Sequence, residues 1–242
     1  MTSIGIYGSQ GKMGQAIAGV APSLGARLAG GADAGDDPAG LARKADVLVD
    51  FSTASAIEAH LAAAVAARTP IVIGTTGLTP RHHALIDAAA DDIAVLQTGN
   101  TSLGVGLLAR LVREAAARLG SEWDVEIVEM HHRDKIDAPS GTAILLGEAA
   151  AEGMGTTLAE AAVIGREGLT GARATGTIGI CSLRGGSVVG DHSVILATAG
   201  ERIELIHRAQ DRAIFARGAV QAALWLAGQE PGRYTMDQVL GV

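Results

Sequence analysis

Short apolar runs alternate with longer stretches of helical periodicity through the first hundred residues, a rhythm that predicts strands and helices in turn. Residues 4–7, 27–32, 47–51, 70–73 and 93–96 read as buried strands, with helices at 15–20, near 54–67 and at 80–90. Strand and helix alternating at this period mean a parallel, doubly wound sheet. After residue 103 the pattern changes. An Ala/Leu-rich helix (103–119) is followed by Val125-Glu126-Ile127-Val128-Glu129-Met130, where apolar and acidic positions alternate, as in a strand with one wet face. A further helix is expected from the turn at Ser140 to about residue 152. Next come a glycine-rich stretch (165–179) and two strands, 187–198 and 201–209, joined through Ala199-Gly200. These antiparallel strands predict a second, α+β domain built on an open mixed sheet with helices on one face. The exposed side of such a sheet often makes a subunit interface, so an oligomer is expected. An amphipathic helix at 215–228 returns to the first domain. The boundaries read as 1–102 plus 213–242 for a dinucleotide-binding domain, and 103–212 for a substrate-binding and oligomerisation domain.

The first predicted strand runs into Gly8-Ser9-Gln10-Gly11-Lys12-Met13-Gly14 and then into a helix. That is the context a phosphate-binding glycine loop requires, which makes the first domain Rossmann-like. Gly8 suits the tight turn, Gly11 lets backbone approach a pyrophosphate, and Gly14 lets helix and strand pack closely. The phosphates then meet unpaired N–H groups and the positive end of the helix dipole. Asp33 ends the second strand about 20 residues further on, where an acid hydrogen-bonds the adenosine ribose. Its charge repels a 2′-phosphate, and the next residue is Ala34 rather than arginine. NADH is therefore expected to be used well, while Lys12 leaves NADPH open. Phe51-Ser52-Thr53, Gly74-Thr75-Thr76-Gly77 and Gly99-Asn100-Thr101-Ser102 all fall at carboxyl ends of strands. There they line the crevice in which such sheets bind ligands.

Composition narrows the partners. Aromatics are 2% of the 242 residues, which argues against stacking platforms for single-stranded nucleic acid, and the core must be aliphatic. A net charge of −7 with no basic run removes the general attraction for DNA or RNA. Cys181 is alone, so no disulfide framework exists and a reducing cytoplasm is expected; in its apolar stretch it reads as a small buried hydrophobe. No apolar run reaches the ~18 residues of a membrane span, and residues 1–3 enter the first strand with no room for a signal peptide.

The densest chemistry lies in Glu129-Met130-His131-His132-Arg133-Asp134-Lys135-Ile136-Asp137-Ala138-Pro139-Ser140-Gly141-Thr142. Two imidazoles and a lysine stand at a strand end, and a Ser-Gly-Thr turn opens the next helix. A proton source and an anion cradle are thus built side by side. His82 and His83 form a second pair, but within a helix, and read as solvated. His60, His192 and His207 stand in no promoting motif, although His192 belongs to a Gly-Asp-His turn worth watching. Arg212 follows the last strand and reads equally as structural or as a contact on the nicotinamide side. No Cys/His spacing suggests a metal.

The glycine loop with Met13, Asp50-Phe51-Ser52, Gly74 to Gly77, the string from His131 to Ala143, Gly176-Thr177-Ile178-Gly179 and Gly190-Asp191-His192 carry a resemblance. So does the helix holding Ala223-Leu224-Trp225-Leu226. Together they resemble the 4-hydroxy-tetrahydrodipicolinate reductase (dihydrodipicolinate reductase) family of the bacterial lysine pathway, over nearly the whole chain. The resemblance implies a hydride passed from a nicotinamide to C4 of a conjugated cyclic imine dicarboxylate. It implies His131 as general acid, Lys135 as the other catalytic residue and His132 as a substrate-positioning partner. It also implies a homotetramer built by the second-domain sheets, and no metal. The chemistry is compatible with the residue types. Histidine, with an ordinary pKa of ~6.5, supplies a proton near neutrality. Lysine holds a carboxylate or stabilises developing charge. Ser140, Gly141 and Thr142 suit a second carboxylate at a helix start, with Pro139 stiffening the approach. Another amino-acid dehydrogenase on the same architecture, or a non-catalytic NAD(H)-sensing module, are the competing readings.

Overall fold

The computed structural model describes residues 1–241; Val242, the last residue of the tail assigned to the first domain, lies outside the described residues. The chain opens with β1 (Ser3–Tyr7), α1 (Lys12–Val20), β2 (Arg27–Ala32), α2 (Pro38–Ala42) and β3 (Val47–Asp50). It goes on through α3 (Ile57–Ala67), β4 (Ile71–Ile73), α4 (Pro80–Ala90) and β5 (Ala94–Gln97). Then follow α5 (Leu103–Leu119), β6 (Asp124–His131), α6 (Gly141–Gly153), α7 (Leu158–Ala161) and β7 (Ala162–Ile164). β8 (Ile178–Arg184), β9 (Gly190–Thr198) and β10 (Glu201–Ala209) precede the closing α8 (Ala213–Leu226), β11 (Gly232–Tyr234) and α9 (Met236–Leu240). These elements form two compact units, Met1–Leu103 with Ala213–Val242, and Gly104–Arg212.

In unit 1 six strands lie in the order β11-β5-β4-β3-β1-β2, every pair parallel. The chain steps from β1 out to β2 and returns to β3 on the other side, so the order reverses at β1. That reversal opens the crevice where such sheets receive ligands. β3 and β4 are buried at every position, as central parallel strands covered on both faces must be. Alternation of side chains sorts them into two cores. Ile4, Ile6, Val47, Val49, Val72 and Leu96 pack with Ile17 of α1 and the small residues of α8. Tyr7, Leu48, Ile71, Ile73 and Val95 pack with α2, α3 and α4 on the other face. The returning helix α8 comes close because it presents Ala216, Ala219, Ala222 and Ala223, all fully buried. At Gly218 a Cβ would overlap the Thr101 carbonyl, so only glycine fits.

In unit 2 a five-stranded sheet runs β10-β9-β6-β8-β7, antiparallel from β10 to β6 and parallel from β6 to β7. Val125, Ile127, Ile178, Ile180, Val194 and Leu196 turn to one face and pack with Leu108 and Val112 of α5 and Leu146 and Ala150 of α6. The opposite face leaves Leu183 and Ile206 exposed. The fold is thus the expected Rossmann-like sheet plus an open mixed sheet.

Three local expectations are corrected. Cys181 is exposed, not buried: it pairs with Val128 on the uncovered face, while its neighbour Ile180 takes the core side. Glu129 is fully buried rather than wet, because it shares the inward face with Val125 and Ile127. The strand expected from residue 187 begins at Gly190, and β7, β8 and β11 arise where no strand is read from the sequence.

Candidate functional site

The glycine loop of unit 1 is shaped by close approaches. Gly8 has a φ of 80°, its N–H donates to the Ala32 carbonyl (2.9 Å), and a Cβ there would overlap the Phe51 carbonyl. Gly14 lies against the Gly8 carbonyl and Ser9, so a methyl group would lift α1 off the loop. Gly11 caps α1 without a side-chain bond, Gly11 and Lys12 are exposed and Met13 is half-buried. Asp33 fastens this loop as well as facing it: its carboxylate accepts from Ser9 Oγ (2.5 Å) and from the Gln10 N–H (3.2 Å). A loop closed to a Cβ at Gly8 and Gly14, at a helix start beside a strand-end carboxylate, fits an adenine dinucleotide.

The neighbouring strand ends are tied together from within. Asp50, fully buried, accepts at Oδ1 from the Ser52 N–H (2.9 Å), Ser52 Oγ (2.6 Å) and Thr75 Oγ1 (2.9 Å), and at Oδ2 meets His60 Nδ1 (2.7 Å). The His60 ring stacks on Tyr7 with centroids 4.0 Å apart. Burial, then the negative charges of Asp50 and Asp37, push the Tyr7 phenol well up. Thr75 is buried and its hydroxyl also accepts the Ser52 N–H (3.0 Å), so this side chain organises the loops rather than facing outward. The space left by Gly74 is taken by the Phe51 ring, not kept for a ligand. Thr76 and Gly99 are exposed, and Asn100 shapes its own turn through its side-chain oxygen, which accepts the Ser102 N–H (2.9 Å). Sequence reasoning misses His60. The available signal is an acid ending an apolar strand, with a histidine ten residues on in the following helix. His82, read as solvated, accepts the Thr79 N–H at the start of α4 (3.0 Å).

In unit 2 the inward face of β6 ends in Glu129 and His131. His131 Nδ1 lies 2.6 Å from Glu129 Oε2. Arg184, opposite His131 in the parallel register of β8, donates from Nη1 to Oε2 (2.8 Å) and from Nη2 to Oε1 (2.9 Å). The Ser140 N–H adds a further bond, to Oε1 (3.2 Å). Burial raises the Glu129 carboxyl, but hydrogen bonds from Arg184, Ser182 and His131 outweigh it and hold the group at about 2. Ser140 caps α6, accepting from the Ala143 N–H (3.2 Å), and its Oγ is 3.1 Å from His192 Nε2. The His192 ring stands edge-on to His131, centroids 5.1 Å apart. Burial first, then the charge of His131, pushes His192 down to about 4, so it is neutral near neutrality; its Nδ1 has no hydrogen-bond partner among the described residues. His131 Nε2 faces Gly190, where an added Cβ would stand 3.0 Å away.

His132 and Arg212 meet at 3.3 Å and, with Asp134, Gly186, Ser187 and Gln210, line a cavity of about 530 Å³. Arg212, a candidate on the cofactor side, is therefore brought to a substrate candidate. The Lys135 Nζ is held by both oxygens of Asp137 (2.7 and 2.8 Å). That bond, against a smaller effect of burial, keeps the Asp137 carboxyl below its ordinary value. Ala138–Pro139 is a cis bond, and beyond it Gly141 is exposed and Thr142 half-buried in the first turn of α6. The sequence assigns no role to the buried half of the site: Glu129, Gly190 and His192 stand in the motif strings without one, and Arg184 is missed altogether. What results is a histidine with one nitrogen fixed by a carboxylate, next to cations and a helix start that can hold anions.

A glycine-loop parallel sheet in one chain with such a site defines a nicotinamide-nucleotide-dependent oxidoreductase. Family models for dihydrodipicolinate reductase match residues 2–101 (its N-terminus) and 104–240 (its C-terminus). The 4-hydroxy-tetrahydrodipicolinate reductase of Zymomonas mobilis subsp. mobilis is 56% identical, over 99% of this chain and 97% of that protein. Among solved structures, dipicolinate-bound dihydrodipicolinate reductase from Paenisporosarcina sp. TG-14 shares the fold with a TM-score of 0.75, at 22% identity and 97% coverage of each chain. Scyllo-inositol dehydrogenase from Lactobacillus casei, with NAD(H) and scyllo-inositol bound, shares it at a TM-score of 0.57 and 10% identity, over 99% of this chain and 93% of that one. The chain belongs to the dihydrodipicolinate reductase family.

Proposed function

We propose that this chain reduces 4-hydroxy-tetrahydrodipicolinate to tetrahydrodipicolinate with a reduced nicotinamide nucleotide, a step of the diaminopimelate and lysine pathway. The observation that carries the reading is His131, held at Nδ1 by a buried carboxylate, in one unit with Lys135 and the Ser140-Gly141-Thr142 helix start. In this reading unit 1 binds the dinucleotide and unit 2 binds substrate and makes the oligomer. The loop from Gly8 to Gly14 takes the pyrophosphate, with Lys12 and Met13 at its helix end, and Asp33 takes the ribose. Phe51, Thr76, Gly99 and Asn100 form the strand-end walls of the cofactor site, with Gly74 seating the Phe51 ring and Thr75 bracing the loops behind them.

When bound there, the nicotinamide supplies a hydride. The 4-hydroxyl first leaves as water to give the conjugated ring, and His131 then donates a proton from Nε2 to the ring carbon that carries the displaced electron pair, so that one hydride and one proton are added to that ring. Lys135 exchanges Asp137 for a substrate carboxylate, and Ser140, Gly141 and Thr142 receive the other. His132 and Arg212 orient the ring. Asp33 and Ala34 favour NADH, while Lys12 keeps NADPH usable. The active form is a cytoplasmic homotetramer assembled through the open face of the second sheet. The deciding experiment follows oxidation of NADH and NADPH side by side, with substrate generated from pyruvate and aspartate semialdehyde. Turnover is expected with both, the larger kcat/KM with NADH. Cofactor binding without turnover would instead favour a sensor or a dehydrogenase of another substrate.

A further inference from the structure

Glu129 is a full charge with no exposed surface, and nothing in the proposed reaction calls for it to touch substrate. Its hydrogen bonds are all received, among them two from Arg184, one from the Ser140 N–H and one from His131 Nδ1. An ionised carboxylate only accepts, so the proton of the 2.6 Å contact belongs to the imidazole. Neutral histidine carries one proton, and with Nδ1 occupied, Nε2 must be the bare nitrogen. That nitrogen is the one turned to Gly190, the glycine against which the ring abuts.

We propose that Glu129 is the positioning residue of His131: it fixes the Nδ1–H tautomer and makes Nε2 the atom that gives up and regains the proton. This deepens, and rests on, the assignment of His131 as proton donor. The cycle balances. Imidazolium with both nitrogens protonated loses the Nε2 proton to substrate, keeps the Nδ1 proton that it donates to Glu129, and regains the other from solvent. Arg184 completes the device. Its charge cancels that of Glu129, so the protonated cluster keeps one net positive charge toward a dianionic substrate, and the carboxylate oxygens are locked in the ring plane's reach by a bidentate fork. The Ser140 N–H binds the same carboxylate, so the residue that aims the proton donor also anchors the helix start assigned to a substrate carboxylate. A shift of either would be felt by the other.

Two measurements test this. The first uses the unaltered protein: 15N-labelled histidine, with ring signals assigned through His131→Gln, reports the tautomer of neutral His131 directly. Nδ1–H is expected; a predominant Nε2–H tautomer overturns the proposal, whether or not the protein turns over any substrate. The second is a double-mutant cycle. Glu129→Gln is expected to lower kcat by ~10²-fold in the parent and by less than about threefold in a His131→Gln background, because the two act as one unit. Equal losses in both backgrounds mean that Glu129 acts through the fold alone, and the proposal fails. A fully active His131→Gln would sink the donor assignment while leaving the tautomer result to stand or fall by itself.

Discussion

Each unit of this molecule holds a buried carboxylate near the end of a strand against a histidine Nδ1, and the two pairs are nearly the same length: Asp50–His60 at 2.7 Å and Glu129–His131 at 2.6 Å. Their surroundings part them. Asp50 spends its other oxygen on the backbone and hydroxyls of Ser52 and Thr75, and His60 lies flat on Tyr7, so that pair ties strand ends into a platform. Glu129 spends its remaining valence on a guanidinium, and His131 meets a neighbouring ring only edge-on, with Nε2 turned to a glycine. A carboxylate–histidine pair is therefore no signature of chemistry by itself. In the proposed reading, what the far side of the ring faces and what neutralises the acid separate the pair that builds from the pair that reacts.

The comparison breaks most readily at His131. His131→Gln should lower kcat by about 10²–10⁴-fold while cofactor affinity stays within about twofold; steady-state kinetics with a cofactor-binding titration would check both. Comparable losses in the two quantities would make this histidine as structural as its counterpart. Next in size is Arg184→Met, which strands a buried carboxylate and should cost about 3–5 kcal/mol of stability at pH 7 by urea unfolding. In the parent, Glu129 falls from 4.5 to about 2 on folding. The folded state then binds fewer protons than the unfolded one between those values. The resulting stabilisation, roughly 3 kcal/mol, is complete above pH 4.5 and disappears as pH falls toward 2. Unfolding curves at pH 3 and pH 7 should show that loss, and Arg184→Met should shrink it.

His60→Ala should sharpen the contrast from the other side: about 1–3 kcal/mol of stability and a raised cofactor KM, with kcat within about threefold, since three donors still hold Asp50. A collapse of kcat at constant cofactor KM would contradict the platform role. The smallest effect belongs to Asp137→Asn. Its exposed pair with Lys135 contributes at most about 1 kcal/mol, and freeing the ammonium should lower the substrate KM by about two- to fivefold. A rise in KM would show that the aspartate presents the lysine rather than competing for it.

The legible parts are those whose signals are local. α4 has Pro80 at its first position after Thr79, and α5 spans 17 residues of unbroken aliphatic periodicity, so their limits are plain in the sequence. The His131 to Thr142 string is legible because its chemistry is contiguous. β8 is not, since it follows a run of glycines and its partners β6 and β7 are remote in sequence. β11 is three residues at a sheet edge, too short to show a period. Glu129 is misplaced by the simple alternation although a better signal exists. Ile127 and Val128 are adjacent apolar residues, so the alternation slips there and puts Glu129 on the face of Val125 and Ile127. Arg184, Gly190 and His192 join the site only through strand pairing.

Unit 1 is written in two pieces, 1–103 and 213–242, with all of unit 2 between them. On a ribosome this order has a cost in time. The sheet face of Ile4, Ile6, Val47, Val49, Val72 and Leu96 waits, uncovered by α8, while 109 intervening residues (213 − 104) are made, on the order of ten seconds. The second unit, contiguous in the chain, can close first. The six-stranded sheet thus completes its core last, with its final edge strand supplied by the tail, and an early stop anywhere before residue 213 leaves an aliphatic surface for chaperones or aggregation to find.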